Sequence, residues 1–519
     1  MPDLSCRPVC GRSHFGLRAW RVAARGAALV FAIAATGPAL FAQGPLGDFD
    51  GYVAKAVKDW NVPGLAIAVV KDDSVVFAKG YGVRTIGSHD RVDTHTLFAN
   101  ASTTKAFTAL AIEMLADSGK VRLDAPVTTY LPAFQLYDPY ATREATVRDL
   151  LTHRTGLPEA DFLWYGTAND LAEVVRRLRY VKPETSFRSH FTYENDAYAA
   201  AGLIVQQVTG ESWERFYQRR IFDPLGMHET YTNTRAASAQ SNIAAPHFMV
   251  NDTVRAIPRL AIDNIGPAGA MFSSVSDMAK WMRFLLDSGR VNGTRLVDSA
   301  HFNELFRSQM PVGSDGFYPT AQLTHPHFTA YGLGWFLEDY RGEYVVFHTG
   351  SIDGYVAIVG LIPDRKLGVV VFANVDHTEV RHALMYTVFD RYLGGATHDW
   401  SAEMLDLYRG LEREQRAEDD ASLANRVRGT SPSLALGEYA GTYADSLYGT
   451  ATVRLEHGAL VLETTPLMTA DLEAWNYDTF LARYRNGWEG HDLVTFRLGP
   501  NGKVSALDLG HGEVLPRAP

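Results

Sequence analysis

Strand-like sequence occurs at the front and at the back of a long segment whose middle is typical of helices. VPGLAIAVVKDDSVVFAKGYG (62–82) contains two apolar, β-branched runs around the polar turn Lys71-Asp72-Asp73. Strand patterns return in EYVVFHTG (343–350), GYVAIVGLI (354–362) and LGVVVFANV (367–375), with a turn expected from Gly350 to Gly354. A sheet begun by the first segment must be completed by the last three. This predicts an α+β fold, an antiparallel sheet flanked by helices with a helical subdomain.

Helical periodicity fills the interval between the strand patterns. Apolar residues recur at helical spacing over 104–115, 195–210 and 274–289, and a glycine follows or ends each run. Residues 377–394 have the same character, and we expect them to form a closing helix on the sheet.

Residues after 400 change in composition. The segment 401–435 is charged and helical before it turns to Gly, Ser and Pro, which indicates a helical linker. Short alternating strands with hairpin turns at 457–458 and 501–502 fill 436–519, which predicts a small antiparallel barrel. We therefore predict a domain at 43–400, a linker at 401–435 and a C-terminal domain at 436–519. The tail aromatics that either fill this barrel or line a substrate channel are Trp475, Tyr477, Phe480, Tyr484, Trp488 and Phe496.

The first 42 residues have the pattern of a secretory signal. Basic residues precede the apolar run GAALVFAIAATGPALFA, and cleavage after Ala42 fits its small-residue end. A permanent membrane anchor is the alternative, although the run is short for a spanning helix. Cys6 and Cys10 both lie here, so the mature chain would have no disulfide, cysteine nucleophile or thiolate metal site. We expect an exported protein, periplasmic or secreted, that touches a membrane only through an uncleaved leader.

The overall charge argues against nucleic acid as a partner. The formal net charge is −10, and no basic tract stands out. Hydrophobic residues make up 46% and charged residues 21%, which is typical of a globular protein.

The strongest chemical signal is NASTTKAFTALAIEML, residues 100–115, where Ser102 precedes Lys105 by three positions. Lys105 is the only lysine with a serine at that spacing. Positions three apart share a face of a helix, so the amine can reach the hydroxyl. A serine needs a base, and a lysine can serve when burial lowers its pKa. The alternative is a helix N-cap serine followed by a solvated lysine.

Two further motifs follow in order. Tyr193-Glu194-Asn195 precedes the helix predicted at 195–210, where a phenol can shuttle protons if a nearby cation lowers its pKa. His348-Thr349 and the glycine after them end a predicted strand, whose edge could pair with a peptide-like substrate.

Together S-x-x-K, Y-x-N and H-T-G resemble the three motifs of serine β-lactamases and penicillin-binding proteins. LLTHRTGLP (150–158), PAGAMFSSVSDMAKWM (267–282) and YGLGWF (331–336) are similar to the class C β-lactamase-like branch. That branch includes D-aminopeptidases, D-alanyl-D-alanine carboxypeptidases and family VIII esterases. The resemblance covers about residues 50–395, and the tail resembles the lipocalin-like C-terminal domain of some of these hydrolases.

The resemblance implies catalytic roles. Ser102 would be the nucleophile, and Lys105 the base or the group that tunes it. Tyr193 would relay the proton to the leaving group, and Asn195 would orient the substrate. Whether Lys105 or Tyr193 takes the first proton stays open.

The resemblance also implies a substrate-binding strand. Backbone N–H groups of Ser102 and Ser351 would form an oxyanion hole beside His348, Thr349 and Gly350. A lysine often begins this motif in β-lactamases and transpeptidases, whereas His348 is largely neutral near pH 7. Anchoring of a substrate carboxylate is therefore weakened, which favours aminopeptidase or esterase chemistry.

The predicted function is a serine hydrolase of amide or ester bonds, foremost a peptidase or amidase for short or D-residue-containing peptides. A β-lactamase or carboxylesterase of the same fold is the alternative, and a non-catalytic sensor of β-lactams or peptidoglycan fragments is a further one. The reaction needs no cofactor. The partner is a small-molecule or short-peptide substrate. From the resemblance we expect the C-terminal domain either to cover the active-site mouth or to mediate assembly into a homo-oligomer.

Two rival hydrolase classes fit less well. The histidine pairs THPH (324–327) and HTEVRH (377–382) lack H-E-x-x-H and cysteine support, so no metal site is predicted. No G-x-S-x-G is present for an α/β-hydrolase, and we interpret His153 as a packed loop residue.

Overall fold

A computed structural model describes residues 44–395, 398–510 and 512–519. The proposed leader at 1–42, with Cys6 and Cys10, lies outside the described residues, so cleavage and export stay predictions. In the part that is described, no helix is both long and apolar enough to cross a membrane.

The strands before residue 400 match the predicted front and back segments and add short pairs between them. They are β1 (Gly64–Lys71), β2 (Ser74–Gly82), β3 (Phe98–Ala99), β4 (Thr230–Tyr231), β5 (His247–Val250), β6 (Thr253–Ala256), β7 (Phe272–Ser273), β8 (Arg290–Val291), β9 (Thr294–Arg295), β10 (Met310–Pro311), β11 (Thr329–Tyr331), β12 (Phe336–Tyr340), β13 (Glu343–Ile352), β14 (Tyr355–Ile362) and β15 (Leu367–Ala373).

The main sheet joins the two ends of this region, as predicted. Its described strands run in the order β10-β11-β12-β13-β14-β15-β1-β2, and every neighbouring pair is antiparallel. β1 and β2 form a hairpin in which Asp72 and Asp73 both have positive φ, the requirement of a two-residue type I′ turn. The antiparallel α+β prediction is confirmed.

The turn predicted at Gly350–Gly354 is shorter than expected. Ile352 pairs with Tyr355, so β13 continues past the H-T-G motif and only Asp353 and Gly354 make the turn. Cross-strand pairing at residues 351–352 outweighs the turn preference of the preceding glycine. The motif therefore lies inside a strand.

Helices cover both faces of the sheet. They are α1 (Phe49–Asp59), α2 (Lys105–Asp117), α3 (Pro139–Glu144), α4 (Val147–Leu151), α5 (Leu171–Arg177), α6 (Asn195–Thr209), α7 (Trp213–Tyr217), α8 (Asp223–Leu225), α9 (Thr234–Ser238), α10 (Gly266–Gly269), α11 (Val275–Leu286), α12 (Ser299–Leu305), α13 (Ala321–Thr324), α14 (Val380–Leu393) and α15 (Trp400–Ala424).

Burial on both faces explains why the central strands β1, β14 and β15 are almost continuously apolar. Along β1, Leu65 and Ile67 belong to the core under α1 and α14, whereas Ala66 and Ala68 belong to the core on the helical side. α2 lies within the helical side, and its residues 105–115 are all buried, so it is apolar around most of its circumference.

The C-terminal residues form a separate antiparallel meander. Its strands are β16 (Gly441–Asp445), β17 (Gly449–Glu456), β18 (Ala459–Glu463), β19 (Thr469–Asn476), β20 (Thr479–Tyr484), β21 (His491–Leu498), β22 (Val504–Asp508) and β23 (Val514–Pro516), paired in sequence order. A bridge between Tyr443 and Arg517 brings the first and last strands together, so the sheet is nearly closed. The all-β prediction for the tail is confirmed, while the domain boundaries at 400 and 435 stay predictions.

Four of the six tail aromatics divide between the two interpretations, whereas Tyr477 is exposed and Trp475 belongs neither to the barrel core nor to the cavity lining. Phe480 and Phe496 are buried in the barrel core, and Tyr484 packs against it. Trp488, at the turn between β20 and β21, instead lines the cavity next to Ser102.

Candidate active site

Ser102 sits in a short 3₁₀ turn, Ala101–Thr104, between β3 and α2. Ala101 has a φ of 44°, in the left-handed region that an alanine rarely occupies. Such strain is found where surrounding structure holds a residue in a functional geometry. The turn also places the Ser102 N–H in the first turn of a helical segment, where backbone donors lack intrahelical partners.

Lys105 lies directly beside the Ser102 hydroxyl. Its Nζ is 2.9 Å from Ser102 Oγ, 2.7 Å from Asn195 Oδ1 and 3.1 Å from the Ala268 carbonyl oxygen. The residue is completely buried. Burial lowers the Lys105 pKa to about 7, although the carboxyl groups nearby, including Asp161, act in the opposite direction. The amine can therefore be neutral near physiological pH.

Tyr193 lies over the same amine. The Lys105 Nζ is 4.8 Å from the centre of the phenol ring. Burial raises the Tyr193 pKa well above its usual value, while a hydrogen bond with Ser102 lowers it less strongly. The condition that a nearby cation lowers the Tyr193 pKa is not met, because loss of hydration raises this pKa.

Asn195 is the first residue of α6, and both the oxygen and the nitrogen of its side-chain amide form hydrogen bonds within the protein. The oxygen faces Lys105, and Nδ2 donates to Glu159 Oε1 at 3.3 Å and to Asp161 Oδ1 at 3.1 Å. The side chain therefore orients the amine in this structure, a contact that the sequence motif did not predict.

The H-T-G strand runs past the Ser102 turn. β12 pairs with β13 only as far as Phe347, whereas β14 pairs with it to Ile352. A Cβ on Gly350 would lie 2.2 Å from the Asn100 carbonyl oxygen and 3.0 Å from Ser102 N. The atoms nearest to that Cβ position belong to the chain's own Ser102 turn, so the lack of a side chain at Gly350 allows the strand to approach this turn.

His348 is a buried, neutral residue of this strand. Its Nε2 is 2.9 Å from the Tyr331 hydroxyl. Burial, with a smaller contribution from the Lys105 charge, lowers the His348 pKa to about 3. The next side chain, Thr349, shares a 2.6 Å hydrogen bond with the Tyr318 hydroxyl. His348 therefore supplies no positive charge to a substrate.

A buried ion pair from α14 supports the same strand and was missed in the sequence. Arg381 donates through Nη1 to the Gly350 carbonyl at 2.5 Å and to Ser351 Oγ at 2.9 Å. Its Nε and Nη2 donate to Glu379 at 3.0 and 2.6 Å. The signal was a pair of opposite charges, Glu379 and Arg381, at the start of an apolar helix, since buried charges are usually paired. Among the described residues, no cluster that could hold a metal ion is found.

A cavity of about 910 Å³ is lined by Ser102, Tyr193, Asn195, Gly350 and Arg381. Further parts of the lining come from the loops at 159–165 and 315–319 and from Trp488 and Glu489 of the C-terminal domain. The Tyr165 hydroxyl joins the domains, at 2.5 Å from Glu489 Oε1 and 2.6 Å from Asp353 Oδ2. The C-terminal domain thus forms part of the mouth, as expected from the sequence.

Two family models and several known proteins are similar to this chain. The Beta-lactamase family model matches residues 49–390, and the model of a domain of unknown function, DUF3471, matches residues 425–514. An unguisins hydrolase of Aspergillus violaceofuscus is 32% identical, covering 79% of this chain and 76% of that protein. Protein Flp of Staphylococcus aureus is 25% identical, covering 69% of each.

The fold is also found among solved structures. The octameric penicillin-binding protein homologue from Pyrococcus abyssi matches with a TM-score of 0.61 at 24% identity. The match covers 91% of this chain and 99% of that one.

Proposed function

This chain belongs to the Beta-lactamase family, and from that premise we propose that it is a serine hydrolase that forms an acyl-enzyme on Ser102. The observation that carries the proposal is the 2.9 Å contact between Ser102 Oγ and the fully buried Lys105 amine. Relatives named as hydrolases support the general class.

The site supports Lys105 as the group that takes the first proton. Near pH 7 the amine is present in part as the neutral form, whereas the Tyr193 phenol keeps its proton because burial disfavours the phenolate. Neutral Lys105 accepts the Ser102 proton as Oγ attacks the substrate carbonyl carbon. The backbone N–H groups of Ser102 and Ser351 then hold the developing oxyanion.

Collapse of the tetrahedral intermediate expels the leaving group, which must gain a proton if it is an amine. Tyr193 lies beside both Lys105 and Ser102, so it can give its phenol proton to that amine and recover one from Lys105. A water molecule then attacks the ester at Ser102 by the same route in reverse. The products are a carboxylic acid and the released amine or alcohol.

We propose amide bonds of short or D-residue-containing peptides as the main substrates. A β-lactam, or a peptide cleaved next to its C-terminal residue, brings a carboxylate into the site, and a free cation is needed to bind it. His348 is neutral, and Arg381 is already engaged by Glu379 and by the strand. The cavity mouth carries the carboxyl groups of Asp353 and Glu489, which disfavour an anionic substrate. A carboxylesterase is the second candidate, because the leaving group of an ester depends less on protonation by the enzyme than the leaving amine of an amide does.

A panel of three chromogenic substrates tests the proposal. D-Alanine p-nitroanilide, p-nitrophenyl acetate and a chromogenic cephalosporin are offered to the purified protein and to its Ser102→Ala variant. We expect steady turnover of the anilide and the ester, and its loss in the variant. Turnover that survives in the variant would refute Ser102 as nucleophile, and a stoichiometric burst without turnover would favour the sensor.

Export and assembly are proposals of the same kind. We propose that residues 1–42 direct the protein to the periplasm or the medium, which the N-terminal sequence of the mature protein would test. The Pyrococcus abyssi homologue is described as octameric. We propose a homo-oligomer formed through the C-terminal domain, and a monomeric mass by light scattering would contradict it.

A further inference from the structure

His153, in the loop after α4, lies against the Tyr193 phenol. The imidazole is fully buried and stacks on the phenol ring, with 4.4 Å between ring centres and 30° between ring planes. The rings of Tyr331 and Tyr198 lie 4.8 and 5.2 Å from it on other sides. The imidazole is therefore held in one orientation by aromatic rings.

The same residue binds the backbone on both sides of Tyr193. The Thr192 N–H donates to the His153 carbonyl at 2.9 Å, and the Glu194 N–H donates to His153 Nδ1, also at 2.9 Å. Thr155 adds two bonds to the Glu194 carboxyl, from its N–H at 3.1 Å and its hydroxyl at 2.6 Å. Residues 153–155 thus fix the three residues centred on Tyr193.

The protonation of His153 follows from these contacts. Nδ1 accepts a hydrogen bond, so the neutral ring carries its proton on Nε2. Burial and the nearby Lys105 charge lower the His153 pKa well below its usual value. Nδ1 already accepts a hydrogen bond from the backbone, so His153 has no free ring nitrogen that could act as a base in the reaction. The residue also has a φ of 54°, a conformation in which Asn, Asp and His are enriched.

We propose that His153 is a positioning residue for Tyr193, which sets the place of the phenol hydroxyl over Lys105 and Ser102. The proposal rests on the role of Tyr193 in the proposed function. The single His153 side chain supplies both a flat face for the phenol and an acceptor for the Glu194 N–H.

Two substitutions separate these contributions. His153→Asn keeps an acceptor near the Nδ1 position and tolerates positive φ, but it removes the stacking face. His153→Phe keeps the flat ring and leaves the Glu194 N–H without its acceptor, which costs about 1–3 kcal/mol of stability. Thermal unfolding of each variant checks that the fold is retained.

The decisive measurement is a double-mutant cycle with Tyr193→Phe on two probes, D-alanine p-nitroanilide and p-nitrophenyl acetate. The anilide nitrogen needs a proton to leave, whereas p-nitrophenolate leaves as an anion. We expect His153→Asn to lower kcat for the anilide by roughly 10- to 100-fold. The loss should be much smaller for the ester, and it should nearly vanish in the Tyr193→Phe background.

Equal losses on both probes, or losses that multiply in the double variant, would show that His153 acts on the fold and not through Tyr193. If the single variant Tyr193→Phe turns over the anilide at the wild-type rate, Tyr193 has no part in the mechanism. His153 then has no catalytic residue to position, and the proposal fails for that separate reason. No Ser102-dependent turnover of either probe by the wild type would overturn the proposed function, and this inference with it.

Discussion

Removing the Lys105 ammonium should change the stability of the protein in a pH-dependent way while it abolishes the reaction. The Lys105 pKa falls from 10.5 to about 7 in the folded protein, because the amine is buried. A pKa difference of one corresponds to about 1.4 kcal/mol, so a proton on folded Lys105 costs about 5 kcal/mol relative to the unfolded chain. A methionine of similar length carries no such cost.

The sign of the effect follows from proton binding. Between pH 7 and pH 10.5 the unfolded chain holds the Lys105 proton and the folded chain does not, so the free energy of unfolding rises with pH in this window. Integration from pH 7 to pH 9 gives about 2 kcal/mol of stability gained by the wild type from this group. Lys105→Met cannot gain it, so its stability relative to the wild type should fall by that amount as the pH rises from 7 to 9.

Urea unfolding followed by tryptophan fluorescence at pH 7, 8 and 9 measures the difference. Lys120→Met, which removes an exposed lysine, is the matched control and should show no such trend. If the difference in free energy of unfolding between Lys105→Met and the wild type stays constant over the three pH values, the lowered pKa of Lys105 is refuted. A difference of the opposite sign would refute it as well.

Three other results are expected. The kcat/KM for p-nitrophenyl acetate should decrease as pH falls below about 7, because Lys105 takes up a proton, and a flat profile from pH 6 to pH 8 would contradict this. Gly350→Ala should lose activity and about 1–3 kcal/mol of stability, since its Cβ would press on the Asn100 carbonyl, whereas Gly410→Ala, with open space around it, should fold normally. Trp488→Ala should raise kcat/KM for a dipeptide anilide relative to a single-residue anilide by opening the cavity mouth, and an unchanged ratio would remove this residue from substrate selection.

The sheet and the larger helices could be predicted because their signals are local. β1 and β2 are apolar runs around a polar turn, and the long helices α6 and α11 each show clear periodicity and a glycine at or just after the end. The closing of the sheet by β13, β14 and β15 followed from the strand patterns alone. The two-residue strands, such as β3 and β7, are too short to leave a periodic pattern.

The reactive pair was also predictable, because Ser102 and Lys105 are neighbours in the chain. Contacts between distant segments were not. Arg381 reaches the Gly350 carbonyl only after α14 folds onto the sheet, and its sequence context suggested a histidine pair instead. The place of Trp488 in the cavity depends on how the C-terminal barrel docks, which strand alternation does not specify.

The pKa of Tyr193 shows a different limit. A cation near a phenol suggests a lowered pKa, yet the balance depends on how much water the fold removes. Burial has the largest effect on both groups: it raises the Tyr193 pKa and lowers the Lys105 pKa, which favours Lys105 over Tyr193 as the first base.

Covalent labelling of Ser102 tests the central claim most directly. The wild type and Lys105→Met are treated with a fluorophosphonate probe between pH 5.5 and 9, and the modified peptide is identified by mass spectrometry. We predict one adduct on Ser102, formed faster as pH rises through about 7, and at least a hundredfold slower labelling in Lys105→Met. Labelling at another residue, or an unchanged rate in Lys105→Met, would contradict a hydroxyl activated by the buried amine.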